Sequence, residues 1–512
     1  MPLVMAVSVA IMSQFLVGYN TGVMNAPQSV VFPGHSTMEW SLAVSAFAIG
    51  GPFGSIIGGM LANQMGRRGT MVLTSWIFLI GGSVMSLAPN MMILSLSRFI
   101  IGFASGLSSV VVPVYLGEIA PPTLRGTLGT CTQFAMVIGI LASDVCAFPL
   151  ATESLWRQLF AITPALCILQ LMLSSYLVES PRWLLSTNSS SSAARVAIKQ
   201  LRGYRFDEDV EAEVENFLCA SKKHKTGRSS AHSSGALWDL LHCREMHVLL
   251  VAAVVLQMAQ QLCGINAVFY YSTSFFDGVI ASPLVGTTIV AFVNVLATYV
   301  ALQLMDNTAR KTLLLWSCGG MIVSAVVIML VLFGYLYKSF ALVAVMGFVS
   351  FFEIGLGPIP WLIVAEMFDA RWVATAMSLS CIVNWACNFI VGMCFPLMQE
   401  ALGPLSFLPF TVVLVITYIY VYVRLPETYG RTVEEIQALA GCSVVDFRQN
   451  IPLLRKTMIG TSEMSQEEDA NEKEKEGEKH TILNQYAIKP QTQTSIQGIE
   501  LQHRTDELHG NF

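Results

Sequence analysis

The sequence has little charge for its length. Only 12% of its 512 residues are Asp, Glu, Lys or Arg, whereas 54% are hydrophobic. Soluble domains usually carry about 25% charged residues, so most of this chain is expected to face lipid rather than water. Apolar runs of about 20 residues, long enough to cross a bilayer as a helix, recur along the sequence.

The sequence also lacks the motifs of several functional classes. Its eleven Cys residues have no disulfide-like, metal-binding or redox spacing, and many lie in apolar runs, where Cys acts as a small apolar residue. There is no nucleotide-binding loop, so ATP-driven pumping has no support. The basic residues form short patches between apolar runs, which argues against nucleic acid as a partner. We therefore predict no cofactor, no metal and no enzymatic activity.

Twelve apolar runs are long enough to span a membrane. They lie near residues 3–24, 40–62, 70–88, 92–113, 127–149, 157–178, 246–274, 284–305, 312–335, 340–368, 373–398 and 405–424. Each is predicted to be a helix, because a spanning segment must satisfy its own backbone polar groups. An even number of spans puts both termini on one side. We assign that side to the cytoplasm, because all but three of the 29 Lys and Arg residues then lie inside or in the tail.

The chain divides into two similar halves and two polar segments. Gly-Arg-Arg at 66–68 in the first half matches Ala-Arg-Lys at 309–311 in the second, and Glu118 matches Glu366. A repeat of six spans predicts alternating access around a central site. The predicted divisions are a six-span bundle at 1–178, a cytoplasmic linker with short helices at 179–245, a second six-span bundle at 246–437 and a disordered cytoplasmic tail at 438–512.

Charged residues cluster at the cytoplasmic ends of the spans in both halves. Helix capping and topology explain any one of them, but the repetition of the whole set favours a joint role. Ion pairs between the halves could hold the inner side shut and break as it opens. The candidates for this cytoplasmic gate are Arg67, Arg68, Glu118, Arg125, Glu179, Arg182, Arg310, Glu366, Arg371, Glu427 and Arg431.

Polar side chains inside the spans are costly in lipid, and here they concentrate in the second half. Gln257, Gln260 and Gln261 lie in the seventh span, where Gln257 and Gln261 share one helical face. Amides both donate and accept hydrogen bonds, which suits a neutral polyol, and Trp361 offers a flat face to a sugar ring. Bonding between helices is the alternative role of each amide. Two Gly and two Pro at 355–361 predict a broken tenth span beside a cavity.

These residues together resemble the sugar porter branch of the major facilitator superfamily, and within it the animal facilitative glucose transporters. The matching segments are 18–23, 25–28, 66–68, 98–102, 260–271, 357–361 and 426–428. The resemblance runs from about residue 12 to 437 and implies an all-α membrane protein with twelve transmembrane helices in two pseudo-symmetric six-helix bundles. It implies that a sugar site is lined by Gln133, Gln260, Gln261, Asn266, Asn294, Glu353 and Trp361, with Asn388 as a further candidate.

Some residues depart from the family pattern. Residues 257–259 read Gln-Met-Ala, where relatives selective for glucose often carry Gln-Leu-Ser. The sequence therefore does not decide between glucose and fructose as the substrate. The second inner motif has Lys311 in place of the second Arg and lacks the usual Gly. This change predicts a weaker inner contact in the second half than in the first.

The predicted function is facilitated diffusion of a hexose across the plasma membrane. Symport with protons is the alternative, because Asp144 and Glu353 are carboxyl groups within the spans. Uniport is favoured, because the first span carries Asn20 where proton-coupled relatives carry Asp, and Asn cannot titrate. A sugar receptor with a long tail is a third hypothesis. The terminal residues 510–512, Gly-Asn-Phe, suggest a cytoplasmic partner for that tail, while hexose and membrane lipid are the other partners predicted.

Overall fold

The computed structural model describes most of the spanning region. The described residues are 2–121, 125–187, 192–203, 206–211, 213–215, 240, 246–277, 282–305, 307–368, 372–431, 433 and 435–436. They all belong to one compact unit, Met1–Gly441, and the second unit, Cys442–Phe512, lies outside them. The predicted disordered tail, most of the linker and Arg371 also lie outside them, and of Arg125 only the backbone is described.

Six long helices form the first half of the protein. They are α1 Pro2–Gly22, α2 Thr37–Gln64, α3 Gly66–Ser86, α4 Met91–Ile119, α5 Arg125–Leu150 and α6 Trp156–Met172. The linker that follows includes the short helices α7 Pro181–Thr187 and α8 Ser192–Arg202. We name the end of the bundle that carries residues 66–68 the inner end, after the predicted orientation, and the opposite end the outer end.

Eight α-helices lie among the described residues of the second half, because two of its spans are each broken into two helices. They are α9 His247–Leu262, α10 Ile265–Phe276, α11 Pro283–Met305, α12 Arg310–Leu332, α13 Ser339–Ile354, α14 Ile359–Met367, α15 Val373–Leu402 and α16 Leu408–Arg424. Within the described residues, eleven segments are long and apolar enough to cross a membrane, and Leu408–Arg424 is a shorter apolar helix. The predicted all-α fold with twelve spans is confirmed.

Helices of the first half approach each other at backbone distance. A Cβ added to Gly102 of α4 would lie 1.9 Å from the carbonyl oxygen of Phe47 in α2. A Cβ added to Gly18 of α1 would lie 1.8 Å from the carbonyl oxygen of Met136 in α5. Because backbone cannot move aside as a side chain can, these contacts require glycine and hold the helices at short range.

The second half packs more through side chains. A Cβ added to Gly320 of α12 would lie 2.1 Å from the ring of Phe351 in α13, a side chain that is 37% exposed. At Gly355, beside the break between α13 and α14, an added Cβ would meet a backbone oxygen, that of Leu313, at 2.6 Å. Side chains can rotate, so these interfaces have more freedom to adjust.

The linker helices are tied to the inner end of the first half. Arg202 of α8 pairs with Glu213 at 2.8 Å and donates to the carbonyl oxygen of Ile119, the last residue of α4. Arg195 pairs with Glu211 and holds the pKa of that carboxyl below its usual range through the hydrogen bond. Helices α7 and α8 agree with the short helices predicted for this segment.

Candidate functional site

Two broken helices build the centre of the second half. The seventh span stops at Leu262 and restarts at Ile265, and Gly264 between them has a φ of +91°. A Cβ there would also lie 2.5 Å from the ring of Phe410, so both the backbone angle and the packing require glycine. The tenth span stops at Ile354 and restarts at Ile359, as the Gly and Pro residues predict.

Gln260 hydrogen-bonds carbonyl groups within the second break, and Gln257 bonds a carbonyl in the first turn of α14. The side-chain nitrogen of Gln260 donates to the carbonyl oxygens of Leu356 at 3.0 Å and Gly357 at 2.5 Å, and that of Gln257 donates to Pro360 at 3.1 Å. Each such carbonyl left unpaired in lipid would cost several kcal/mol, about 2–7 by transfer measurements. These two amides therefore have the bonding role between helices that the sequence left open.

Asn384 of α15 joins the glutamines into one network. Its amide nitrogen donates to the side-chain oxygens of Gln257 at 2.7 Å and Gln260 at 2.6 Å, and its oxygen accepts from Gln261 at 3.0 Å. Asn266 donates in turn to Gln261. Gln257 and Gln261 share a helical face, as the sequence predicts. Gln261 and Asn266 bond other side-chain amides rather than the backbone of the break.

Asn294 and Glu353 form a second polar group on α11 and α13. Asn294 is fully buried, and neither its amide nitrogen nor its oxygen has a hydrogen-bond partner among the described residues. Glu353 is 2% exposed, and its carboxyl lies within hydrogen-bonding reach of Thr298 and of Gln133 from α5. Gln133 therefore extends this group across the boundary between the halves. A buried amide without a hydrogen-bond partner is the feature of this group that most directly indicates a ligand.

Aromatic residues border the amide network. Trp361 is half-buried on α14, just after the break, and packs against the core. The hydroxyl of Tyr270 donates to Asn388 at 3.0 Å. Trp385 contacts the ring of Phe47 in α2 at 5.7 Å between centroids. The sequence did not single out Trp385 or Tyr270, although Trp385 follows Asn384 directly on a spanning helix, a signal that could have found it.

Arg98 in α4 is fully buried near Asn20, and it contacts the backbone of Asn20 rather than its side chain. Its guanidinium donates to the backbone oxygen of Asn20 at 2.6 Å and lies over the ring of Phe47. The Asn20 amide instead donates to the carbonyl of Leu16 and accepts from Thr163. The Asn20 side chain bonds Leu16 because an Asn within a helix can donate to a carbonyl of the preceding turn.

The inner charge cluster of the first half is well paired. Arg67 makes two parallel hydrogen bonds to Glu118, each of 2.8 Å. The carboxylate of Glu179 accepts from the backbone nitrogens of Arg67 at 2.9 Å and Arg68 at 3.2 Å, so it caps the first turn of α3. Arg182 is exposed and lies on α7, three residues after Glu179.

The inner cluster of the second half repeats this arrangement with longer contacts. Arg310 donates twice to a single oxygen of Glu366, at 3.3 and 3.2 Å, while the other oxygen accepts from Thr428 at 2.5 Å. Glu427 caps α12 through the backbone nitrogens of Arg310 and Lys311. Arg431 donates through its backbone nitrogen to the carbonyl of Thr428.

The ion pairs of the inner end join residues of the same half wherever both side chains are described. The inner gate between the halves therefore stays a prediction, since it needs Arg125 and Arg371, whose side chains lie outside that description. What the clusters do within each half is clear from their contacts. In each half, the charge cluster connects the start of the third span to the residues that follow the sixth span.

The outer end is closed by contacts between the halves. Asn25 donates to Ser272 at 2.8 Å and accepts from the backbone nitrogen of Thr273 at 3.0 Å. At the rim, the hydroxyl of Thr37 donates to Glu400 at 2.5 Å. The halves also meet through α2 with α15, α5 with α11 and α1 with α10.

The family of the chain follows from comparison with known proteins. A family model described as "Sugar (and other) transporter" matches residues 5–440. This chain belongs to that sugar transporter family. Membership of this family indicates a transporter rather than an enzyme.

Members of the sugar transporter family from several animals are similar to this chain. Facilitated glucose transporter member 4 of solute carrier family 2 from Homo sapiens is 40% identical over 466 residues, covering 85% of this chain and 90% of that protein. The Mus musculus member 4 is 38% identical over 492 residues, covering 90% and 94%. Facilitated glucose transporter member 1 from Gallus gallus is 37% identical over 468 residues, covering 85% and 92%.

A solved structure shares the fold. The inward-open conformation of the xylose transporter XylE from E. coli superposes with a TM-score of 0.71 at 25% identity, covering 85% of this chain and 98% of that one. The closed outer end of the present structure agrees with that conformation. The chain is thus a multi-pass membrane protein of the major facilitator fold.

Proposed function

We propose that this protein is a facilitative hexose transporter that works by alternating access, with glucose as the first substrate to test. The observation that carries the proposal is the fully buried Asn294, whose amide has no partner among the described residues. It lies one helical turn before Thr298, and the carboxyl of Glu353 is within hydrogen-bonding reach of both Thr298 and Gln133 of the other half. The similarity to facilitated glucose transporters supports the choice of substrate.

The polar groups suit a neutral sugar. Asn294 offers a donor and an acceptor, and Gln261 and Asn266 can exchange their bonds to other amides for bonds to sugar hydroxyls. Trp361 supplies a flat apolar face for the C–H side of the ring. Gln260 has a different role, because its amide nitrogen donates hydrogen bonds to two backbone carbonyls. We infer that it supports the site by bracing the break.

The remaining features of the proposal follow from topology. We place residues 1–178 and 246–437 in two bundles that rock about this site, with 179–245 as a cytoplasmic linker and 438–512 as a tail that binds a cytoplasmic partner. Both termini lie in the cytoplasm and the membrane is the plasma membrane. The basic inner ends support this orientation.

The direct test is uptake of radiolabelled glucose into liposomes that contain the purified protein. We expect saturable, stereospecific equilibration without accumulation above the outside concentration. Fructose and xylose in the same assay define the preferred sugar. A protein that binds glucose with no flux in either direction would be a receptor, and the transport proposal would be wrong.

Symport is the second candidate, because Glu353 and Asp144 are buried carboxyl groups within the spans. Uniport is proposed because Asn20, which lies against Arg98, cannot titrate. Asn20→Asp should make flux depend on pH, since a carboxylate could pair with Arg98 and release it on protonation. The measurement is glucose accumulation under an inward proton gradient, with Asn20→Ser as the neutral control. Uphill accumulation by the wild-type protein would exclude uniport.

A further inference from the structure

The carboxyl of Asp144 is a buried group that the proposed sugar site does not use. It lies near the outer end of α5, and the residue is only 2% exposed. The ion pairs found among the described residues all involve other carboxylates. Burying a carboxylate without a nearby cation costs free energy, so the presence of Asp144 at a buried position requires a physical explanation.

Asp144 lies on the face of α5 that carries Gln133. The two are 144 − 133 = 11 residues apart, which leaves them about 20° apart around the helix and about 16 Å apart along it. Gln133 reaches Glu353 of the second half, so this face of α5 points into the boundary between the halves. Asp144 lies three turns further out along the same boundary.

The register of α11 places Asp144 at the level of the outer closure. α11 packs against α5 and runs in the opposite direction. Thr298 of α11 lies at the level of Gln133, because both reach the same carboxyl. Eleven residues back from Thr298 is Thr287, which accepts a hydrogen bond from Ser272, a residue of the outer closure, at 3.1 Å.

The helices packed against α5 bring few titratable groups, and the charged ones have other partners. Arg98 donates to the carbonyl oxygen of Asn20, Arg157 to that of Ser86, and Glu118 pairs with Arg67. The groups on these helices and on α5 itself are Tyr19 on α1, Arg98, Tyr115 and Glu118 on α4, Arg157 and Cys167 on α6, Tyr299 on α11, and Arg125, Cys131 and Cys146 on α5. Among the described residues, no cation is paired with Asp144.

We propose that Asp144 is a switch that opposes closure of the outer side and makes the orientation of the carrier respond to external pH. When the outer side opens, its carboxyl meets external water and ionises. Closing then either buries the charge or takes up a proton from outside. The switch rests on the alternating access of the proposed function.

The proton does not cross the membrane in this scheme. Asp144 lies on the outer side of the central site, so the path by which its proton arrives is the path by which it leaves when the outer side reopens. External acid therefore shifts the population towards the outer-closed orientation without driving sugar uphill. This distinguishes the switch from the coupling carboxylate of a symporter.

The test measures opening of the outer side without relying on sugar. A cysteine placed by Ser272→Cys is buried in the closure and should react with a membrane-impermeant thiol reagent only when the outer side opens. Lowering external pH from about 7.5 to about 5.5 should slow labelling about three- to tenfold, within the limit of about tenfold per pH unit for one proton. An exposed reporter, Asp277→Cys, corrects for the effect of pH on thiol reactivity.

Two matched substitutions decide the outcome. With Asp144→Asn, labelling should be slow at both pH values, because a neutral amide is buried as readily as a protonated acid. Asp277→Asn, the same change at an exposed outer carboxylate, should keep the wild-type response. A pH response that survives in Asp144→Asn overturns the proposal, as does proton-driven sugar accumulation that this substitution abolishes. A normal labelling response in a protein with no hexose flux supports the switch and rejects the proposed function.

Discussion

The two halves of the protein share one topology but differ in what holds them together. In the first half, glycines such as Gly102 and Gly18 bring helix backbones into contact. In the second half, two spans are broken and an amide network braces one of the breaks. The comparison indicates that the first half is a rigid body, while the second holds the adjustable polar groups that a sugar can recruit.

The largest expected effect tests the rigidity of the first half. Gly102→Val would drive a side chain into the backbone of α2, and we expect destabilisation of about 3 kcal/mol or more. Gly320→Val in the second half meets only the ring of Phe351 and should cost about half as much. Thermal unfolding in detergent measures both. Gly117→Val is the control, since an added Cβ there meets no atom within 4 Å. Equal losses in the two halves would contradict the comparison.

The next effect concerns the contact between the halves. A Cβ on Gly51 would lie 2.2 Å from the Trp385 ring, so Gly51→Leu should keep the outer side from closing. Overpacking of about 1–3 kcal/mol corresponds to about a ten- to hundredfold loss of flux, while sugar still binds from outside. Gly59→Leu on the same helix is the control, because its site is open. Normal glucose exchange by Gly51→Leu would show that closure tolerates the side chain.

Two neighbouring glutamines sharpen the distinction between support and recognition. Gln261→Leu should weaken glucose binding about ten- to hundredfold, since one good hydrogen bond to a buried ligand is worth about 1–3 kcal/mol. Gln260→Leu should instead lower the unfolding temperature, because it leaves the carbonyls of the break unpaired. Binding and unfolding are measured on both variants. Unchanged affinity in a well-folded Gln261→Leu would make that residue structural.

The smallest effect compares the inner clusters. Arg67→Ala removes two short parallel bonds, whereas Arg310→Ala removes two longer bonds to one oxygen. We expect losses of about 2 and about 1 kcal/mol in the free energy of unfolding. Chemical denaturation of the two variants at the same pH gives the comparison. A larger loss for Arg310→Ala would reverse the ranking of the two halves.

Much of the fold could be read from the sequence because bilayer physics leaves few choices. The length of the apolar runs located the spans, and two Gly and two Pro residues located the break in the tenth span. The break in the seventh span was not predicted, because a single Gly264 among apolar residues gives no warning of its φ of +91°.

The site was harder to read, because sequence shows which residues are polar but not what they bond. Gln260 and Gln261 are adjacent and chemically identical, yet the amide nitrogen of Gln260 donates to backbone carbonyls and that of Gln261 donates to the side chain of Asn384. Trp385 and Tyr270 were missed because an aromatic residue in a span is usually a lipid or core contact. The partner of the Arg98 guanidinium was a backbone oxygen, which no side-chain pattern encodes.

The long-range caps of the inner clusters have a consequence for synthesis. Glu179 caps α3 from 112 positions beyond Arg67, and Glu427 caps α12 from 117 positions beyond Arg310. Each carboxylate emerges from the ribosome only after the last span of its own half. Completion of a cluster therefore marks the moment when the six spans of that half have been delivered to the bilayer, and neither half has to wait for the other. Two gene fragments divided within the linker should then give products that insert separately and associate afterwards.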